Sequence, residues 1–467
     1  MSTNSGGIHL QDLETKQGPE GITRFSKEQA AYYAEKEREE RIRALKVPYE
    51  DARVRELLRG FGEPVTYFAE DAGSRRERLL NWMLERSYEG QEDILMATVQ
   101  GDEEDEDEDH ETYSEGSQEL LEARRKIALY SLEKAKLRLE KERKEFEVPV
   151  PEKILSARSA ADHFRKVDAM GSQVGGERPM SIIRFCQDGN KFATGSWSGQ
   201  VKVWDTKDLS QVRLYRGHTD KVSGLDWHPG CTAWDETSEN VCLATGAADN
   251  SVCLWNGKQS TPISRLDGHL ARVLRVAFHP SGNYLASGSF DTTWRLWDVA
   301  TETELLMQEG HAEGIFSVAW QPDGSLLSSG GMDAIGRVWD VRSGKSVMVL
   351  DDHIRHIVSM DWAPNGYQLA TASADDTVKV WDLRKVSLSQ SIPAHSSLVS
   401  DVRYVQSENA VLLLSSGYDG CVKIWNPTTG ALVKNLVGHE EKVMSVDGHG
   451  DRLLSSGFDR TIKLWHP

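Results

Sequence analysis

From about residue 175 onward, apolar and polar residues alternate in short runs with a two-residue rhythm. The third unit displays the pattern. Val273-Leu274-Arg275-Val276-Ala277-Phe278 alternates, His279-Pro280-Ser281-Gly282 turns, Tyr284 to Ser289 returns, and Thr293-Trp294-Arg295-Leu296-Trp297 makes a third run. Runs of this length bounded by Gly, Pro and Ser predict short antiparallel strands. The unit recurs: Trp204, Trp255, Trp297, Trp339, Trp381, Trp425 and Trp465 close the third runs, in steps of 51, 42, 42, 42, 44 and 40 residues. Six units open on a histidine, mostly after Gly: His218, His269, His311, His353, His395 and His439. A period near 42 with this punctuation predicts four-stranded blades of a β-propeller, and seven Trp ends predict seven blades.

Ahead of the strands the rhythm changes to that of helices. Residues 1–45 are polar, with Ser26–Lys46 reading as a solvated helix. Residues 46–90 predict a small helical unit: Val54, Leu57 and Leu58 share one face, Gly60, Gly62 and Pro64 stop that helix, and Leu79, Leu80, Met83 and Leu84 follow a capping box at Ser74-Arg75-Arg76-Glu77. Alone it is too small to bury a core, so docking on something else is expected. Residues 91–119 form an acidic linker around the eight consecutive carboxylates of Asp102–Asp109, which repel one another and disfavour folding. Residues 120–148 predict a long helix with Leu121, Ala128, Leu132, Ala135 and Leu139 on one stripe, widened by Ile127 and Tyr130, and Lys and Arg elsewhere, a candidate surface for a partner protein. Val148-Pro149-Val150-Pro151 is expected to end it, giving way to a linker and then the propeller through residue 467. The chain stops two residues after Trp465, so the last blade has three strands of its own. The stretch around 164–174 is the candidate for its fourth.

Composition narrows the function classes. The chain of 467 residues carries a formal net charge of −18. Divided near Gly175, the C-terminal part holds 27 basic and 34 acidic residues and the N-terminal part 28 and 39. Neither half is basic, which argues against non-specific phosphate binding. Five cysteines without paired spacing read as reduced core thiols. No secretory leader and no apolar run of about 20 residues is visible, so a soluble intracellular chain is expected.

The His and Asp of each unit invite a catalytic reading until they are counted. His218 is followed by Asp249, His269 by Asp291, His311 by Asp333, His353 by Asp375, His395 by Asp419 and His439 by Asp459. An active site occurs once, whereas a constellation in six units is a fastening. The first unit departs: Ser198 replaces the Asp before Trp204, and that blade is expected to be the least rigid. No nucleophile elbow, phosphate loop, paired-cysteine or paired-histidine metal motif is present, so neither an enzyme nor a cofactor or metal is expected. The residues preceding each Asp or its substitute should ring one face: Trp197, Ala248, Phe290, Met332, Ala374, Tyr418 and Phe458. Three residues after each His lie Lys221, Arg272, Gly314, His356, Leu398 and Lys442. Aromatic and Met enrichment beside basic residues predicts a protein-binding rim at Trp197, Phe290, Met332, Tyr418, Phe458, Lys221, Arg272 and Lys442.

Several segments resemble the pre-mRNA processing factor 4 family, WD-repeat proteins of the U4/U6 small nuclear ribonucleoprotein. They are Val47–Leu80 with Gly62-Glu63-Pro64-Val65-Thr66 and Arg75-Arg76-Glu77-Arg78-Leu79, Ala128–Leu132, Ser172–Pro179, Gly330–Asp340 and Ile392–His395. The acidic insert at 92–119 departs from the family pattern. The resemblance implies an all-β seven-bladed WD-repeat propeller behind an α-helical, partly disordered N-terminal region. It also implies that each Asp accepts bonds from turn amides and from the His, which reaches the Trp through a Ser or Thr. The implied role is a non-catalytic nuclear scaffold of the U4/U6·U5 tri-snRNP. Its implied partners are a pre-mRNA processing factor 3-like protein, a spliceosomal cyclophilin, other tri-snRNP proteins, and U4/U6 RNA within the particle. The Trp-Asp-x-Arg boxes Trp339–Arg342 and Trp381–Arg384 keep one alternative in view, a substrate receptor of a cullin-RING ubiquitin ligase.

Overall fold

The computed structural model describes residues 51–61, 64, 72–87, 117–147, 149–231, 234–235, 237–407 and 411–467. The polar stretch 1–45 and most of the acidic linker, including Asp102–Asp109, lie outside them. The chain divides into two compact units, Met1–Ser114 and Glu115–Pro467.

In the first unit, helices α1 (Asp51–Gly60) and α2 (Ala72–Ser87) close on a small apolar seam. Val54, Leu58, Leu79 and Met83 are buried, and Phe61 stacks on Trp82 at 4.4 Å between ring centroids. Ser74 sits inside the first turn of α2, because Ala72 and Gly73 are already wound into the helix.

The second unit is a seven-bladed β-propeller of seven four-stranded antiparallel sheets. The inner strands are Met180–Phe185, Val222–Trp227, Val273–Phe278, Ile315–Trp320, Ile357–Trp362, Val399–Gln406 and Val443–His449. Each slips register against the second strand at its first ladder step, as between Val273 and Arg275. A bulge in the same place bends and twists every blade alike. Apolar residues of adjoining blades interleave. Tyr284 and Leu296 of the third, for example, meet Ile315, Val318 and Trp320 of the fourth.

The ring is closed by an upstream segment. Asp168–Val174 pairs antiparallel with Thr461–His466, from Asp168 opposite His466 to Val174 opposite Thr461. Six of its seven residues are exposed, as suits an outermost strand that covers an otherwise unpaired edge.

Helices α3 (Gln118–Glu147) and α4 (Val150–Phe164) lead into that strand. The expected linker after Val148-Pro149 is therefore mostly helix. Pro149 caps α4, and proline in a first turn has no backbone N–H that the helix needs. Phe164 and Val167 do not join the closing strand. Both are fully buried beside Leu436, Leu453 and Trp465, so strand geometry begins only at Asp168. Helix α3 lies across hairpin turns of blades three to five. Leu120, Ala123 and Ile127 are buried with Tyr284, Leu305, Trp320 and Val341. The Tyr130 hydroxyl donates to the Pro280 carbonyl at 3.0 Å, and Arg138 reaches Asp323 at 2.8 Å and the Asn365 carbonyl at 3.1 Å. Fully burying an aliphatic side chain contributes about 1.5–3 kcal/mol, so Leu120 and Ile127 alone anchor the helix.

Candidate partner-binding face

Every blade carries one buried hydroxyl in its second strand that accepts a hydrogen bond from the Trp indole. The pairs are Trp204–Thr194, Trp255–Thr245, Trp297–Ser287, Trp339–Ser329, Trp381–Thr371, Trp425–Ser415 and Trp465–Ser455, at 2.8–3.0 Å. In blades two to seven the same oxygen meets a histidine Nε2 at 2.7–2.8 Å. The Nδ1 of that ring meets the blade's Asp at 2.8–3.1 Å. Hydroxyl, imidazole and carboxylate are thus arranged as in a hydrolase triad. Each hydroxyl is fully buried and already engaged by Trp, so no substrate reaches it. Burial opposes ionisation of Asp291 and Asp375, yet bonds from His269 and Thr293, and from His353 and Thr377, hold both carboxyls below the usual range. Blade one lacks the His and Asp; there the Ser198 hydroxyl bonds to Ser196 at 3.2 Å, its single partner among the described residues.

The axis of the ring is closed by charge. Asp401 in blade six accepts from Arg184 of blade one at 3.1 Å, Arg275 of blade three at 3.4 Å, and Ser359 and Ser445 at 2.6 Å. Burial alone would raise its carboxyl pKa, but Arg184, Arg275 and Arg403 hold it well below the ordinary value. These contacts tie the inner strands of five blades together at the axis.

One rim carries the candidate residues in pairs. The backbone N–H of the residue before each Asp, or its substitute, donates to the carbonyl of a residue on the neighbouring loop. Ala248 bonds to Lys221, Phe290 to Arg272, Met332 to Gly314, Ala374 to His356, Tyr418 to Leu398 and Phe458 to Lys442, at 2.7–3.0 Å. In blade one Trp197 bonds to Pro179 at 3.0 Å. The two predicted rings are therefore one continuous band. Arg272 lies over Phe290 at 4.1 Å, Lys221 over Trp197 at 4.4 Å and Lys442 over Tyr418 at 4.6 Å. Trp197 meets Phe458 edge to face at 5.2 Å. Met332 is 44% exposed, whereas Ala374 and Gly314 are buried and offer no contact surface.

Sequence reasoning missed three residues here. Leu270 and Ile354 are 84% and 87% exposed. Each follows its blade's His, and its backbone N–H is held by the blade's Asp at 3.1 and 3.3 Å, which fixes the position at the rim. The residue after each His could have been read as a ring in its own right. Phe316, on an inner strand, packs against Phe290 at 6.0 Å and stacks on His356 at 5.5 Å. Its place on the rim was hidden among alternating strand residues. Along the band, Leu270, Met332 and Ile354 add exposed apolar surface in blades three to five, where Arg272 also covers Phe290, and the lysine–aromatic contacts lie across blades six, seven, one and two.

Helix α3 offers a second surface. Its propeller-facing side is Leu120, Ala123, Ile127, Tyr130 and Arg138, so Leu121, Leu132 and Leu139 of the predicted stripe point away and are 68%, 62% and 48% exposed; Ala128 is half-buried. The arginines of the two Trp-Asp-x-Arg boxes fold back on their own blades. Arg342 meets Asp340 at 3.0 Å, and Arg384 meets Asp382 at 3.3 Å and covers Tyr367 at 3.4 Å.

Comparison with known proteins agrees with this architecture. The WD domain, G-beta repeat pattern matches seven times: at 176–205, 209–256, 260–298, 303–340, 344–382, 386–426 and 430–466. A pre-mRNA processing factor 4 (PRP4) like pattern matches residues 54–81, the α1–α2 unit. A WD repeat-containing protein of Schizosaccharomyces pombe is 68% identical over 97% of both chains. The U4/U6 small nuclear ribonucleoprotein Prp4 of Mus musculus is 39% identical over 52% of this chain and 46% of its own, and the Saccharomyces cerevisiae PRP4 is 35% identical over 53% of each. The match thus spans about half the length of those Prp4 relatives. With seven repeats and a near full-length relative, the chain belongs to the WD-repeat family, and it carries the motif of the pre-mRNA processing factor 4-like proteins ahead of its propeller.

Proposed function

We propose that this chain is a splicing factor of the U4/U6 small nuclear ribonucleoprotein, acting in the nucleus as a non-catalytic scaffold of that particle and of the U4/U6·U5 tri-snRNP. The observation that carries the reading is the coexistence, in one chain, of the PRP4-like motif at 54–81 and seven WD blades similar to those of Prp4 proteins. The geometry supports a binding rather than a catalytic role. The repeated His, Asp and hydroxyl groups are sealed, and helix α3 covers turns on one face of the ring while the aromatic band occupies the other. In this reading the band of Trp197, Phe290, Met332, Tyr418, Phe458, Lys221, Arg272 and Lys442 holds a pre-mRNA processing factor 3-like protein. The outward leucines of α3 and the α1–α2 unit hold further particle proteins, a spliceosomal cyclophilin among them, and U4/U6 RNA is reached mainly through the assembled particle.

Purification of the chain from extract, followed by sequencing of the bound RNA, tests the reading. U4 and U6 RNA are expected, together with loss of tri-snRNP on depletion. Recovery of a cullin adaptor without small nuclear RNA overturns it in favour of the ubiquitin-ligase alternative. The rim is tested separately with Phe290→Ala plus Phe458→Ala. Losing central aromatic anchors typically costs about 2 kcal/mol or more of binding, with an unchanged melting temperature expected. Equal affinity for the recombinant partner places the interface elsewhere.

A further inference from the structure

Between blades six and seven, the open rim sinks into a depression of about 420 Å³ lined by Tyr418, Phe458, Glu440, Glu441, Lys442 and Asp419. Its two aromatic rings are half-buried, so they are held in place by the fold while still presenting surface to a ligand. Asp419 is already committed: both carboxylate oxygens meet His395 Nδ1 at 3.0 Å, and the Cys421 amide adds a third bond at 3.1 Å. Glu440 and Glu441 are exposed, and their carboxylates form no hydrogen bond or ion pair among the described residues. Burial raises the Tyr418 phenol, which therefore stays neutral at physiological pH.

The chain itself shows what this site accepts. The Lys442 ammonium stands 4.6 Å from the centre of the Tyr418 ring, over its electron-rich face. Lys442 is a surface side chain on a long flexible stem, and its amine makes no ion pair among the described residues. It fills the cation position without being fastened there. A ligand cation able to reach the two glutamates as well would have the advantage over it.

We propose that this depression receives an arginine side chain from an extended segment of a partner protein. The guanidinium stacks on Tyr418 beside Phe458, Glu440 and Glu441 supply the counter-charge, and Lys442 swings into solvent. Arginine suits the site better than lysine, because its planar group stacks on a ring and bonds carboxylates through several N–H donors at once. An acidic segment is disfavoured by the same two glutamates. This inference rests on the reading of the open rim as a protein-binding surface and adds to it the chemistry of one contact.

The test uses the full chain and four short acetylated, amidated Gly-Ser peptides that differ at one central position: Arg, Lys, citrulline or Glu. Saturation-transfer NMR at millimolar peptide reads the affinities. The Arg peptide is expected to bind best and the uncharged citrulline analogue roughly five-fold or more weaker. Glu440→Gln plus Glu441→Gln should weaken the Arg peptide by a similar factor. Lys442→Ala should strengthen it roughly two- to five-fold by removing the competing cation. That opposite sign is one a merely damaged surface would not produce. Circular dichroism melting checks that each variant is folded. Equal binding of the Arg and citrulline peptides, weaker binding in Lys442→Ala, preference for the Glu peptide, or no binding at all overturns the proposal. None of these results depends on small nuclear RNA being recovered with the protein, so this inference and the splicing assignment fail separately.

Discussion

A single hydroxyl group decides how tightly each blade is fastened. In blade five Thr371 Oγ1 serves both His353 at 2.7 Å and Trp381 at 3.0 Å, so one atom ties the second strand to the third and to the loop entering the blade. In blade one, among the described residues, Thr194 serves only Trp204, at 2.9 Å. Valine has nearly the shape of threonine without the hydroxyl, so the two sites can be compared by one substitution. Thr371→Val strands the indole N–H and the imidazole nitrogen, whereas Thr194→Val strands the indole alone. A buried polar group left without a partner costs about 1–3 kcal/mol. Urea melts should therefore show Thr371→Val less stable than Thr194→Val by at least about 1 kcal/mol. Equal losses would mean that the histidine link adds nothing, and the expectation of a looser first blade would lose its basis.

At the scale of the element, blades two to five are latched one to the next through the turns after the inner strands. His228 Nε2 bonds to the Gly282 carbonyl and His279 Nε2 to the Gly324 carbonyl, both at 3.0 Å; Gln321 Nε2 bonds to the Gly366 carbonyl at 2.5 Å. The chain thus performs one task with two chemistries, and only histidine titrates near neutral pH. Burial pushes the His279 pKa down to about 4 from an ordinary 6.5, despite the favourable carbonyl bond. A histidine held neutral in the fold stabilises fully above pH 6.5, and that stability is lost as pH falls from there toward 4. Between pH 7 and 5 the loss is about 2 kcal/mol. Asp226 acts in the opposite sense. Burial raises its carboxyl to about 6 against backbone and arginine contacts that lower it, so protonation below pH 6 relieves the cost of a buried charge. Comparing the whole chain with His279→Gln at both pH values cancels the Asp226 contribution. The glutamine variant should lose about 2 kcal/mol less on acidification. Parallel pH profiles for the two proteins would show that His279 is not held neutral.

For the molecule as a whole, closure of the ring governs stability. The last blade owns three strands and takes its fourth from Asp168–Val174, 287 residues before Thr461 at its nearest paired end. Ahead of that strand, Phe164 and Val167 are buried against blades six and seven. A chain beginning at Gly175 loses both the strand and these anchors, exposing an edge that propellers otherwise cover. It should aggregate or melt markedly lower than one beginning at Pro149. Identical melting curves would show that the ring holds without this strand. The same upstream segment positions α3 and α4, so closure also determines which face of the ring is covered and which is left with the aromatic band.

Much of this is local and therefore legible in the sequence. Strand alternation, the step near 42 residues between successive Trp ends, and the spacing of Asp six residues before Trp each depend on contacts within one blade, so they repeat visibly. The α1–α2 seam of Val54, Leu58, Leu79 and Met83 is likewise encoded in helical spacing. The resemblance of 54–81 and of the blades to PRP4-like proteins was readable for the same reason. What tertiary structure alone decided concerns contacts between distant segments. Local periodicity in α3 centred the stripe on Leu121, Leu132 and Leu139 with Ile127 and Tyr130 at its margin, but the propeller took Leu120, Ala123 and Ile127, because the turns of blades three to five set the helix orientation. The proline pair ends α3 at Glu147 as its sequence suggests, but the stretch after it is a second helix whose last residue, Phe164, is buried against the propeller. Side chains of four other blades meet Asp401 of blade six, and blades six and seven together build the depression around Tyr418 and Phe458. A one-dimensional pattern carries the strands; only ring closure brings such residues to a common point.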